Sequence, residues 1–533
     1  MFTELHEDIL IDVLHSLSPF DLAALAQTCK ASHKLVSRHG WPYCVRSRPR
    51  PSYSLSSSRS RWTSLIHAKY DVLTDEAWKT QMFVARPLSN PWSRKNAPAL
   101  AISTNRLVVA SGNDIHCYKF GVTSSCNETS APPVTFEGSY SLLGGHEGFG
   151  IITAITHVSS HGHADTFFIA FRGGIIEYII LSPSAADADD HHHQQLLPLT
   201  VTRTHATTLT NGDFSESLSS TSQFLLSVSS NGSATLADHR DLTGLTDTPL
   251  PQPPSPSSHQ LEWSSSLNFQ TPSWASLLCP TSSTPYAAFG ISNPTAPLPI
   301  YYLPDLSLPS SGIPSVLLTT ENFSSSSSPS TSTASPSAVY GLSQAPPSSA
   351  WGSSPDIVVG GWHDGKVRCY DLRVQTSSHI TIPHPYHSLS SPTLPSSTSV
   401  GAGRNWIEVP ALKPTLSLHN PRSHGQIYSV SCGGGYSSYI TAGTDNSILS
   451  FWDVRSRQSG WSVHAPGNDP SPIHSVVLES SRCFGATESR PFVYDFGPGV
   501  TIDTYPPITP SPGDKLKLQG NGIDYHVRKY THN

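Results

Sequence analysis

Charge is scarce in this 533-residue sequence: Asp, Glu, Lys and Arg together make up 13%, and 32 basic against 38 acidic residues leave a net charge of −6. No run of either sign stands out, which excludes the open basic surface that nucleic acid demands. Long apolar runs are missing too. No stretch approaches the roughly 20 residues that cross a bilayer as a helix, so no membrane partner is expected. The eight cysteines (Cys29, Cys44, Cys117, Cys126, Cys279, Cys369, Cys432, Cys483) form no C-x-x-C pair. That argues against a disulfide scaffold or a zinc knuckle and fits a reducing compartment. Met1–Asp8 is acidic and amphipathic, unlike a basic leader followed by an apolar run, so the sequon at Asn127 reads as chance. We expect an intracellular protein, cytoplasmic, nuclear or both.

Catalytic and ligand motifs are equally sparse. There is no G-x-S-x-G elbow and no H-E-x-x-H. Gly360-x-x-x-x-Gly365-Lys366 satisfies most of a phosphate loop, but Val367 replaces the hydroxyl that would reach magnesium, and the segment continues as a strand. His191-His192-His193 follows Asp187, Asp189 and Asp190, yet contiguous histidines cannot all face one ion on a rigid element. No catalytic residue, metal or cofactor is therefore expected. Proline (46) and glycine (36) fall short of the roughly 25–30% that marks a wholly low-complexity chain, so disorder should be local. It is expected in Asp187–Gln195, Thr246–Ser258, Ser324–Ser337 and Ser388–Ser399, which are too polar to bury a core.

What is present begins with helices. Leu10, Val13, Leu14 and Leu17 repeat at i, i+3, i+4, i+7, one apolar helical face. Ser18-Pro19-Phe20-Asp21 then offers a capping serine, a proline suited to the first helical position and an acid at the positive helix end. Leu22, Leu25 and Cys29 continue an apolar face, and Leu35 and Val36 close a third short helix before Gly40-Trp41-Pro42. So small a core should leave apolar surface for a partner. This string, from Glu4-Leu5-His6-Glu7 through Asp21-Leu22 and Cys29-Lys30 to Leu35-Val36, resembles an F-box. His6 stands where that family has proline, and His33-Lys34 occupies the place of its usual aromatic. Residues 43–95 read as a partly helical linker, with Arg46, Arg48, Arg50, Arg59 and Arg61 solvated among Ser and Pro.

From residue 96 to about 500 the period becomes that of short strands, and one unit recurs: apolar strand, second strand, a Gly/Asn/Asp turn, and a third strand ending in an aromatic. Its plainest copies run from His424 to Trp452-Asp453-Val454-Arg455 and from Ile357 to Tyr370-Asp371-Leu372-Arg373. Fainter copies end at Tyr118, Tyr178, Ala237-Asp238, Tyr302 and Tyr494-Asp495. These units resemble WD40 repeats, and seven of them close a propeller without an open sheet edge. The fold expected is mainly β: a seven-bladed WD40-type β-propeller preceded by a small all-α F-box (1–42), with 501–533 as a tail or closing strand.

Together the two halves resemble the F-box/WD-repeat family. The resemblance implies a substrate receptor of an SCF-type cullin–RING ubiquitin ligase, its helices docked on the Skp linker, and through it on cullin, and its propeller holding a target protein. By the same resemblance Leu5, Ile9, Leu10, Leu14, Leu22 and Leu25 are shared between helical core and Skp contact. His424, Asn446 and Trp452, like Asp364 and Tyr370, would be buried hydrogen-bonded blade residues. Arg172, His363 and Arg490, in second-turn positions, would grip a target, phosphorylated in much of the family. The alternatives are a WD40 scaffold unconnected with ubiquitin, or a propeller enzyme.

Overall fold

The computed structural model describes residues 6–93, 95–122, 129–142, 150–158, 165–183, 199–209, 213–240, 261, 263–293, 296–321, 337–346, 354–376, 378–383, 406–456, 459–467, 469–509, 514 and 522–531. The tracts beginning at Asp187 and Thr246, the histidines 191–193, Asn127 and almost all of the tracts beginning at Ser324 and Ser388 lie outside these residues.

Among the described residues six α-helices come first: α1 (Glu7–Ser16), α2 (Pro19–Ala26), α3 (Lys30–Leu35), α4 (Trp41–Arg46), α5 (Ser56–Arg59) and α6 (Ser64–Thr80). The Ser18 hydroxyl accepts from the Asp21 amide at 3.2 Å, and the Asp21 carboxylate accepts from the Ser18 amide at 3.3 Å. This reciprocal cap satisfies two of the free N–H groups at the start of α2. Leu14, Leu22, Val36 and Trp41 interlock into one small core that Ala68 of α6 completes.

Among the described residues seven sheets follow, antiparallel but for one pair in blade four, each with its first strand innermost. The first strands are Ala99–Ile102, Ile152–Val158, Ser215–Ser220, Ser273–Cys279, Val339–Gln344, Ile427–Gly433 and Ile473–Leu478, in blades one to seven. All seven expected third strands are found, containing Tyr118, Tyr178, Ala237, Tyr302, Tyr370, Trp452 and Tyr494. In blade four the deeply buried ring is Tyr301, while Tyr302 is only half-buried. Outside blade four, short turns join second to third strands; at Gly232 the backbone takes φ +91°, a conformation that favours glycine.

Three departures from the simple wheel concern its rim. Val84–Pro87, from the stretch read as linker, is the outer strand of blade seven and pairs Val84 with Asp495 and Pro87 with Phe492. An antiparallel pair of Ser378–Pro383 and Trp406–Leu412, inserted in blade five, extends blade four instead, with Trp406–Leu412 parallel to Val316–Leu318. Arg528–Thr531 lies antiparallel on the outer strand of blade six, as the closing-strand reading of the tail allowed.

The stretch 43–95 is therefore no solvated linker. Arg50 is buried, makes a two-pronged ion pair with Asp75 of α6 (Nη2–Oδ2 2.6 Å) and donates to the Gly435 carbonyl of blade six at 3.2 Å. Arg59 reaches Asp71 at 2.9 Å and the Ser480 hydroxyl at 3.2 Å. Glu479 of blade seven accepts from the Ser54 amide at 3.0 Å. Trp78 of α6 stacks on Phe496 with ring centroids 3.6 Å apart and donates to the Ser480 carbonyl at 2.9 Å. These arginines are spent on attachment, since buried guanidinium groups need carboxylate partners.

Candidate functional site

Two surfaces compete for attention, and the first is on the helices. Of the leucines expected to be shared between core and partner, Leu10, Leu14 and Leu22 are buried within the helical unit itself, and Leu25 is half-buried against the same core. Leu5 lies outside the described residues. Ile9, by contrast, is 52% exposed on α1, and Phe20, the second residue of α2, is 73% exposed. The i, i+3, i+4 pattern identified one apolar face and could not tell that this face is turned inward. Phe20, the larger exposed residue, is the one that reasoning missed, although a phenylalanine beside a capping box, off the leucine stripe, was a readable signal.

The expected buried polar set in the blades is not assembled. His424, in the segment before Ile427–Gly433, and Asn446, on a turn, are both exposed, and the buried indole N–H of Trp452 has no hydrogen-bond partner among the described residues. Asp364 is also exposed, and clamps Arg368 at 2.6 Å. Tyr370 is buried, and its hydroxyl donates to the Thr319 carbonyl at 2.7 Å. What recurs instead is an Asp-x-Arg clamp at the end of the third strand: Asp238–Arg240 at 2.6 Å, Asp371–Arg373 at 2.7 Å and Asp453–Arg455 at 2.6 Å.

The second surface is the mouth of the central channel, a cavity of about 600 Å³ bounded by the first strands of all seven blades. In blades two to seven the first strand carries a register shift at its second residue: Thr153, Glu216, Trp274, Tyr340, Tyr428 and His474. A bulge re-aims one side chain out of the pleat, and here it does so six times at one level. Trp274, Tyr340, Tyr428 and His474 make a continuous arc, with successive ring centroids 5.4, 5.8 and 5.1 Å apart. The Tyr340 hydroxyl lies 3.2 Å from His363 Nδ1. His474 Nε2 is 3.4 Å from Glu488, but burial holds the imidazole below its ordinary pKa despite that carboxylate. Burial likewise raises Glu216, with Arg172 opposing. A ring of aromatics at the second position of the first strand, as in Val339-Tyr340 and Ile427-Tyr428, was legible only once strand starts were known.

The three expected target-binding residues fare differently. Arg172 is exposed, its guanidinium 5.8 Å from the Phe214 ring centroid. His363 is half-buried beside Tyr340. Arg490 is buried and committed to Asp514 at 2.6 Å and to the Pro466 carbonyl at 3.2 Å, so it is a structural tie for the C-terminal segment rather than a gripping residue. Among the described residues, no group of three or more His, Cys, Asp or Glu side chains is placed to hold a metal ion. Nor is any described helix long and apolar enough to cross a membrane. Gly365, in the phosphate-loop look-alike, sits in the turn between two antiparallel strands (Ile357–Trp362 and Lys366–Asp371), with no helix following.

Comparison with known proteins adds the class. Residues 2–41 match the F-box domain. An F-box domain followed by a seven-bladed β-propeller is consistent with an F-box/WD40 protein. No curated protein matches the chain. Among solved structures, the computationally designed Ika8 protein aligns over 77% of this chain and 99% of its own, at 12% identity and a TM-score of 0.39, which is too distant to carry any argument.

Proposed function

We propose that this chain is a substrate receptor of an SCF-type cullin–RING ubiquitin ligase, with its F-box docked on the Skp linker and its propeller holding a target protein. The observation that carries the reading is the sorting of apolar residues on the F-box: its leucines fill its own core, while Ile9 and Phe20 stand out in water at 52% and 73% exposure. Residues of this size left in water on a unit that matches an F-box are available to a partner. The rigid joint made by Arg50, Asp75 and Trp78 suits the role, because it fixes how a cargo on the propeller is presented to the partner of the helices. Chemistry belongs to other subunits, and this chain contributes proximity, raising the local concentration of target lysines near the conjugating enzyme.

The test is affinity capture of the full chain from native extract. Wild type is expected to bring down the Skp linker and cullin, and the double variant Ile9→Lys/Phe20→Glu to lose both while melting at the wild-type temperature. A wild-type preparation free of both subunits overturns the reading and favours a scaffold unconnected with ubiquitin.

A further inference from the structure

We propose that the mouth of the propeller channel takes an arginine or lysine side chain of the target protein, laid over the aromatic arc and against Glu216. The inference rests on the receptor reading for its biological sense, but its chemistry is independent of it. Four consecutive blades present Trp274, Tyr340, Tyr428 and His474 at one level, linked ring to ring within 5.8 Å. The face of an aromatic ring carries negative charge density and attracts a cation within about 6 Å of its centroid. Trp274 is 36% exposed, so the arc is reachable from solvent.

The charges around the arc point the same way. Glu216 lies at the same bulged position one blade before Trp274 and has no hydrogen bond or ion pair among the described residues. Glu488 stands behind His474 at 3.4 Å, and Asp445, half-buried near Tyr428, keeps a buried oxygen without a partner. On the cationic side Arg172 is exposed near Glu216, and Lys366 is half-exposed in blade five. Arg368 is locked by Asp364 and Glu321, and Arg490 by Asp514. A phosphate entering the mouth would thus meet carboxylates and π-faces, with Arg172 already facing Glu216. A guanidinium or ammonium group would meet complementary charge and a flat surface to stack on.

The test uses the full chain immobilised with its binding partners and short randomised peptide pools that differ in one fixed central residue: arginine, lysine, leucine, glutamate or phosphoserine. The arginine and lysine pools should be retained roughly 10-fold better than the leucine pool, as a desolvated cation–π contact implies. Trp274→Ala and the near-isosteric Glu216→Gln should each remove most of that preference without changing the melting temperature. Tyr340→Phe, which keeps the ring, should retain it. Preference for phosphoserine, retention of no pool, or a basic preference indifferent to both Trp274→Ala and Glu216→Gln overturns the proposal. A chain that holds basic peptides but captures no Skp overturns the receptor reading and leaves this one standing; the reverse pattern does the opposite.

Discussion

At the scale of single residues, the division between Leu14 and Phe20 makes a sharp prediction. Leu14 is 1% exposed in the helical core, so Leu14→Ala should cost about 2–4 kcal/mol, read as a lower denaturant midpoint of the helical unit. Phe20→Ala removes no buried contact and should leave that midpoint unchanged while weakening capture of the Skp linker. Equal loss of stability in both variants would contradict the assignment. Gly232 offers a second case. A Cβ there would meet the Thr271 carbonyl at 2.1 Å, on a backbone already at φ +91°. Gly232→Ala should therefore destabilise by at least about 2 kcal/mol, measured as the same midpoint shift for the propeller. The sequence displayed the turn glycines and the leucine period openly, because both are local signals. It hid which side of α1 faces inward, since that depends on α4 and α6 arriving from elsewhere in the chain.

Among the elements, α6 decides how the two halves are joined, and its pH response is a test. His67 lies on α6 beside Trp62, and burial, helped by Arg59, lowers its pKa to about 4. At neutral pH the ring is uncharged, so its 3.6 Å approach to Asp71 is not an ion pair. The unfolded chain binds a proton near pH 6.5 and the folded chain does not, so stability is full above pH 6.5 and is lost as the pH falls towards 4. Between pH 7 and pH 5 this one group should withdraw about 2 kcal/mol, visible in paired denaturant titrations, and His67→Gln should abolish the difference. If His67→Gln keeps the full pH dependence, another group is responsible. The seven third strands were readable because each follows a turn, and all but Ile175–Pro183, which carries Tyr178 in mid-strand, end in an aromatic or Asp. The joint was not, because the arginines 46–61 look alike in sequence. Only contacts with Asp71, Asp75 and Gly435 separate the buried Arg50 and half-buried Arg59 from the exposed Arg46, Arg48 and Arg61.

For the whole molecule, the decisive strand is the one that sequence reading placed in a linker. Val84–Pro87 is four residues long, contains a proline and finds its partner some four hundred positions away, so no local pattern announces it. Proline is tolerated there because Pro87 ends an outer strand whose far side, among the described residues, is bridged only at Ala85, by Ile523. Its position has a mechanical consequence. The ring of blades is closed not by its own last segment but by the residues directly following α6, so the helical unit is tied to the wheel by backbone hydrogen bonds as well as by Trp78. Two truncations separate these ties. A chain starting at Phe83 loses the helices but keeps the closing strand, and should stay folded with a lower melting temperature, because Phe451, Trp461 and Phe496 lose the indole packed against them. A chain starting at Leu88 also loses the closing strand, leaving Pro491–Asp495 as an open edge of apolar residues. It should unfold with reduced cooperativity and aggregate, as uncovered edges do. A synthetic peptide spanning residues 82–93 should bind the open edge and restore its melting temperature in a concentration-dependent way, since a ligand for the folded state stabilises by mass action. Equal behaviour of the two truncations, or a peptide without effect, would mean that blade seven is held shut by its three remaining strands alone.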